Sequence, residues 1–316
     1  MPVNNEHTIL VTGSSGYIGK STCRYLRGCG KEVLSGVRSI SNDDDGGENK
    51  VEINLNDLSE VSLVGVDIVV HLAGLAHSRS HADEDFMDVN YSGTVRLAEE
   101  AMRSGVKRFI FISSIGVNGT SSSGPSSSGP ISEGTSPQFN NSYAASKFFA
   151  EKSLFQMCQD PNSTMDVVVI RPPLVYGVDA PGNVAKLKNV VSLNIPLPFG
   201  NVRNKRHFCS IANLIDFISL CCDLSASKKA SNNLFLIADD DALSTPDLVT
   251  LIGKINGKSA KLFPVPVFIL RFFFRLISKG GLEDSLIENF EVSNNKALKV
   301  LDWRPIYSPA RDLSER

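Results

Sequence analysis

A chain of 316 residues, 42% of them hydrophobic, carries enough apolar material for a substantial core, which excludes wholesale disorder. Lys and Arg total 32 against 34 for Asp and Glu, a formal charge of -2, so nothing marks a general nucleic-acid binder and anionic ligands must be held locally. Cys23, Cys29, Cys158, Cys209, Cys221 and Cys222 form no CxxC pair, which argues against a zinc site or disulfide framework and for reduced thiols in a cytoplasmic protein. The opening Met1-Pro2-Val3-Asn4-Asn5-Glu6-His7 has no basic segment followed by an apolar one, so export is not expected.

In chain order, residues 8–11 are a short apolar, β-branched run that leads into Thr12-Gly13, after which a helical pattern continues through Tyr25 and Leu26. Further strands are predicted over 32–37, 50–53 and 66–72, mostly apolar without clean alternation, as strands covered on both faces are. A helix over 90–104 feeds a strand over 108–112; a second helix runs from Tyr143 to near Met157 and a strand follows over 167–170. This alternation predicts the α/β class, a Rossmann-type doubly wound parallel sheet over 1–176 with ligands at the carboxyl ends of its strands.

Residues 120–130 read Thr-Ser-Ser-Ser-Gly-Pro-Ser-Ser-Ser-Gly-Pro, a surface loop that fits either a solvated insertion or a lid over substrate. Beyond Gly177 the rhythm weakens, and a smaller substrate-binding domain is predicted over 177–206 and 241–316. A helix over 209–224 and a strand over 233–237 place 207–240 back with the sheet. The apolar stretch 262–277 contains Pro264, Pro266, Arg271 and Arg275 and falls short of the roughly 20 apolar residues of a spanning helix. It reads as a half-buried helix, with a membrane-surface or partner-docking helix as the other reading.

Chemistry concentrates at a few motifs. Thr12-Gly13-Ser14-Ser15-Gly16-Tyr17-Ile18-Gly19 sits between the first strand and first helix, where glycines permit a tight turn and let backbone approach a pyrophosphate at the helix N-terminus. The end of the second strand, Ser35-Gly36-Val37-Arg38-Ser39, lacks the acid that usually meets an NAD 2'-hydroxyl. Arg38 suits a 2'-phosphate, which favours NADP; a solvated arginine beside the adenine of NAD is the alternative. In Tyr143-Ala144-Ala145-Ser146-Lys147, residues i and i+4 share a helical face, so the ammonium should draw the phenol pKa down from about 10 toward the working pH. Such pairs also occur by chance, but Ser113-Ser114 adds hydroxyls at the end of the strand over 108–112.

These motifs, with His71-Leu72-Ala73-Gly74, Asn90 before Gly93-Thr94, and Arg171-Pro172-Pro173-Leu174-Val175-Tyr176-Gly177, together resemble the extended short-chain dehydrogenase/reductase family over nearly the whole chain. The resemblance implies a Rossmann fold binding NAD or NADP, with Ser114, Tyr143 and Lys147 catalytic on a nucleotide sugar and Ser113 a structural neighbour. It implies cofactor contacts from Gly13, Ser15, Gly16, Tyr17, Ile18, Gly19, Arg38, Leu72, Ala73, Gly74, Asn90, Lys147 and Pro172. For the segment from Arg171, a turn holding Tyr176 in the core is the other reading. Ser114 and Tyr143 would also touch substrate, Asn183 and Arg206 would hold the UDP diphosphate, and His207 has no role.

Where family dehydratases carry an Asp-Glu pair after the catalytic hydroxyl, this chain has Ile115 and Gly116, which disfavours dehydration; Asn118, in place of a usual tyrosine, has no reading. Two activities follow from the resemblance: NAD(P)H-dependent reduction of a UDP-4-keto-6-deoxy (amino) sugar for surface polysaccharide, and UDP-sugar 4-epimerisation with tightly bound NAD. Arg38 and a tail similar to bacterial 4-reductases, including Leu301-Asp302-Trp303-Arg304-Pro305, favour the first. A non-catalytic nucleotide sensor has no need of Ser114, Tyr143 and Lys147 together. A homodimer formed through the helices near Asn90 and Tyr143 is expected, with no metal, no nucleic acid and no integral membrane segment.

Overall fold

The computed structural model describes residues 7–40, 49–75, 82–120, 122, 129–161, 163–277 and 285–309. Two compact units emerge, one of Met1–Val117, Pro137–Arg171 and Ile215–Phe235, the other of Asn118–Ser136, Pro172–Leu214 and Leu236–Arg316. The second unit thus takes in Asn118–Ser136 and resumes at Pro172, while Ile215–Phe235 belongs with the first. Residues 121 and 123–128 of the Ser/Gly/Pro loop lie outside the described residues, and both readings of that loop with them.

The strands are β1 (Thr8–Thr12), β2 (Glu32–Val37), β3 (Lys50–Glu52), β4 (Ile68–His71), β5 (Arg108–Ile112), β6 (Asp166–Arg171), β7 (Val175–Tyr176), β8 (Cys209–Ser210) and β9 (Asn233–Leu236). Among the described residues, seven form one sheet in the order β3-β2-β1-β4-β5-β6-β9, and every pairing from β3 through β6 is parallel. Ile9 to Val11, Ile68 to Val70, Phe109 to Phe111 and Val167 to Ile170 are all fully buried, which explains why these strands do not alternate. The register pairs Thr12 with His71 and His71 with Phe111, so the carboxyl ends of β1, β4 and β5 lie level. Strand order reverses about β1, where open α/β sheets hold their ligands.

Helices α1 (Tyr17–Gly28), α2 (Asp83–Phe86), α3 (Thr94–Arg103) and α4 (Ser142–Met157) belong to this first unit. The helix predicted over 90–104 is in fact two conformations: a π-helical segment, Met87–Gly93, precedes α3. At the start of β5, the buried Arg108 guanidinium donates twice to the Asp166 carboxylate, at 2.6 and 2.9 Å, and to the Cys221 carbonyl at 2.9 Å; Ser227 and Ser231 complete its shell. A charge at this depth is tolerable because each side of it is paired.

The second unit contains α5 (Asn183–Ser192), α7 (Thr245–Ile255) and α8 (Val267–Ile277), while the unit boundary passes through α6 (Ile211–Cys222). The predicted helix over 209–224 therefore starts two residues later, after the short strand β8. Tyr176 is buried, donating from its phenol to Asp239 at 2.6 Å; Asp239 also accepts from the Ser210 amide and the Asn213 side chain. This gives the Arg171 to Gly177 segment a packing role within the second unit.

Candidate active site

The glycine turn comes first along the chain. Gly13 takes a positive φ of 66°, and a Cβ there would stand 2.7 Å from the Ala73 nitrogen; one on Gly19 would fall 2.2 Å from the Gly13 carbonyl oxygen. Only glycine lets α1 start this close to the ends of β1 and β4. Gly16 caps α1 without a side chain, and the first turn holds no acid. Its N–H groups and positive dipole end therefore suit an anionic pyrophosphate, and the residues present fit a dinucleotide. Ser15 and Gly16 are exposed at the turn, with Tyr17 and Ile18 half-buried behind them.

Arg38 follows β2, exposed and without a hydrogen bond or ion pair among the described residues. Leu72 and Ala73 are half-buried and Gly74 exposed at the end of β4. A Cβ on Gly74 would meet Asn90 Oδ1 at 2.7 Å and Lys147 Nζ at 3.6 Å, so these three residues are neighbours. Asn90 accepts from the Leu75 amide at 2.7 Å and donates to the Leu75 carbonyl, fixing the chain beyond Gly74. A π-helical turn delivers it, as such turns often deliver functional groups.

A buried relay that the motif reading overlooked backs this corner. Thr94 donates its hydroxyl proton to the Asn90 carbonyl at 2.7 Å, so toward His71 it can only accept. That places the imidazole proton on Nε2, 2.9 Å from Thr94, and leaves Nδ1 to accept from Thr12 at 2.7 Å. Burial holds His71 neutral, with a pKa lowered to about 3.

The reacting groups lie on α4 and at the end of β5. Asn141 accepts from the Ala144 amide at 2.8 Å, capping α4 and setting Tyr143 in its first turn. The half-buried Tyr143 phenol hydrogen-bonds the Ser114 hydroxyl. Lys147, one turn on, is buried; its ammonium donates to the Ile112 carbonyl at 3.1 Å and lies 4.7 Å from the centre of the Phe111 ring. Ser114, Tyr143 and Lys147 thus gather at one carboxyl edge.

The expected lowering of the tyrosine pKa is not found. Burial raises Tyr143 above its ordinary value, and only the Ser114 hydrogen bond opposes the rise. Burial acts on Lys147 as well, lowering its pKa to about 8, while its ammonium donates to Ile112 beside the Phe111 ring. Glu151, a further turn along α4, opposes that lowering. Its buried carboxylate accepts from Arg171 and from Ser113, which assigns Ser113 and Arg171 supporting places. Spacing could have found Glu151, since 143, 147 and 151 fall on one helical face.

Three predicted site residues lie in the second unit. Pro172 is its buried first residue after β6, and Asn183 is exposed at the start of α5. Arg206 donates to the Glu288 carbonyl at 2.8 Å and stacks 5.2 Å from the centre of Phe290. Asn118, for which the motifs offered no reading, donates to the Thr135 carbonyl at 3.0 Å and so holds the chain after the catalytic serine.

The NAD dependent epimerase/dehydratase family model matches residues 9–236. A Vibrio cholerae protein named UDP-glucose 4-epimerase is 37% identical over 305 residues, spanning 94% of this chain and 90% of its own length. An Escherichia coli O157:H7 protein named N-acetyl-alpha-D-glucosaminyl-diphospho-ditrans,octacis-undecaprenol 4-epimerase is 28% identical over 78% of this chain and 73% of its own. Among solved structures, UDP-N-acetylglucosamine 4-epimerase from Bacillus cereus superposes with a TM-score of 0.73 at 19% identity, over 98% of this chain and 97% of that one, a likeness of fold. With the glycine cradle, the parallel sheet and the gathered Ser114, Tyr143 and Lys147, these matches make the chain a member of the NAD-dependent epimerase/dehydratase family.

Proposed function

We propose that this chain is a UDP-sugar 4-epimerase that keeps its dinucleotide bound through the reaction. The observation that carries the reading is the Ser114–Tyr143 hydrogen bond beside buried Lys147, in a chain 37% identical to a protein named UDP-glucose 4-epimerase. A dinucleotide would be held by the turn from Gly13 to Gly19 and the N-terminus of α1, and would supply a hydride acceptor and donor for C4 of the sugar. Tyr143 accepts the proton of the 4-hydroxyl in the first half and gives it back in the second. Ser114 holds the same oxygen by a hydrogen bond. Lys147, near Gly74, steadies the charge of the phenolate while Tyr143 lacks its proton. Asn183 and Arg206 hold the diphosphate, and the second unit binds the sugar. The chain acts in the cytoplasm as a homodimer, for which the exposed Phe149 on α4, packed with Phe139 and Phe148, offers a surface.

A second reading rests on Arg38. With no acid at the end of β2 and a guanidinium exposed there, an NADPH-dependent reduction of a UDP-4-keto sugar is served as well. A phenol that keeps its proton is also the form in which Tyr143 begins a reduction.

Denaturing the purified protein and identifying the released dinucleotide separates the two. Retained NAD with interconversion of UDP-glucose and UDP-galactose, or of their N-acetyl counterparts, supports the epimerase; an empty protein that consumes NADPH only with a 4-keto sugar overturns it for the reductase. In either case Tyr143→Phe should lower turnover by about 10²–10⁴-fold, and unchanged turnover would remove Tyr143 from the chemistry.

A further inference from the structure

Helix α8 buries only one side. Leu270, with Val267 and Phe274 beside it, packs into the core of the second unit against Val249 and Ile287. At about 100° per residue, positions 268, 272 and 276 fall on the other side. There Phe268, Phe272 and Leu276 are 72%, 61% and 68% exposed, and the adjoining Phe273 is 52% exposed. Apolar side chains scattered singly over a surface need no explanation, whereas four together on one helix face do.

Charge says what covers them. Arg271 and Arg275 run along one border of the apolar face, and Arg271 is turned onto Glu288 at 2.7 Å. From 258 to 279 the sequence holds Lys258, Lys261, Arg271, Arg275 and Lys279 and no Asp or Glu. We infer that α8 docks this chain on the surface of an anionic phospholipid bilayer. Eleven residues span about 16 Å, roughly half a hydrocarbon core, so α8 lies in the plane of the interface. Among the described residues no helix is long and apolar enough to cross a membrane. The phenylalanine rings enter the acyl boundary while Arg275 reaches lipid phosphates, the division of labour of interfacial helices. A second copy on this face is disfavoured, because a two-fold contact would bring the Arg275 charges of both copies toward one seam, Arg271 being paired with Glu288.

The test is co-sedimentation of the full chain with vesicles of phosphatidylglycerol and phosphatidylethanolamine, and with phosphatidylcholine alone. Binding to the anionic vesicles should be about tenfold or more stronger and should weaken with added salt. The combined Phe268→Ser, Phe272→Ser and Leu276→Ser variant, which leaves the packed side of α8 intact and should melt with the parent, should lose most of that binding; Arg275→Glu should lose part of it. The inference is overturned if the parent binds no vesicles, if the serine variant binds as the parent does, or if its loss of apolar face instead halves the mass of the particle in solution.

Discussion

At the scale of single residues, His71 shows how a group outside the reaction holds the site together. Through Thr12, Thr94 and Asn90 it joins the ends of β1 and β4 to the π-helical turn, and it does so only while neutral. Its pKa is lowered from 6.5 to about 3 by burial, so below pH 6.5 the unfolded chain takes up a proton that the folded chain refuses. Stability should therefore fall on acidification through the window from about 6.5 to 3, at up to about 1.4 kcal/mol per pH unit. Urea midpoints measured from pH 7 to 5 on the parent and on His71→Gln check this. The variant should be less stable at pH 7 yet less sensitive to acid. Asp239, whose raised pKa of about 6 acts in the opposite sense, is common to both proteins and cancels from the comparison. Equal slopes would mean that the folded chain protonates His71.

At the scale of elements, the glycine turn is the least replaceable piece. Gly13→Ala combines a left-handed backbone, costing about 1–2 kcal/mol, with a Cβ 2.7 Å from the Ala73 nitrogen. The variant should lose dinucleotide binding by titration calorimetry while its far-ultraviolet circular dichroism stays that of the parent; retained affinity would show that the cradle yields. This turn was legible in sequence, as were the strands of the sheet, because each carries its own local signal of glycine spacing or apolar run, whereas the Asn141 cap of α4 emerged only with the structure. The π-helical turn was not legible, since Met87–Gly93 carries no local signal that separates it from an ordinary helix. The spacing places Glu151 on the face of Tyr143 and Lys147, but its partner Arg171 is not legible, because that pairing exists only once β6 lies beside β5. The direction of the tyrosine pKa is not legible from the spacing of Tyr143 and Lys147, because the burial that raises it comes only with the fold.

At the scale of the whole molecule, the unit that carries the glycine cradle, Ser114, Tyr143 and Lys147 is discontinuous, and Ile215–Phe235 completes it from far downstream. Arg108 draws on Cys221, Ser227 and Ser231 from that segment, and β9 covers the outer edge of β6. A chain truncated after Arg171 would leave Arg108 paired with Asp166 but without Cys221, Ser227 and Ser231, and the edge of an apolar strand open. Such a fragment should aggregate on expression; a soluble, dinucleotide-binding fragment would show that the returning segment is dispensable. During synthesis the same condition arises for every molecule. The ribosome makes about 5–20 residues each second, so for several seconds after Arg171 emerges the nascent sheet waits with the outer edge of β6 unpaired. Shielding by a chaperone over that interval would govern how much of the protein a cell recovers.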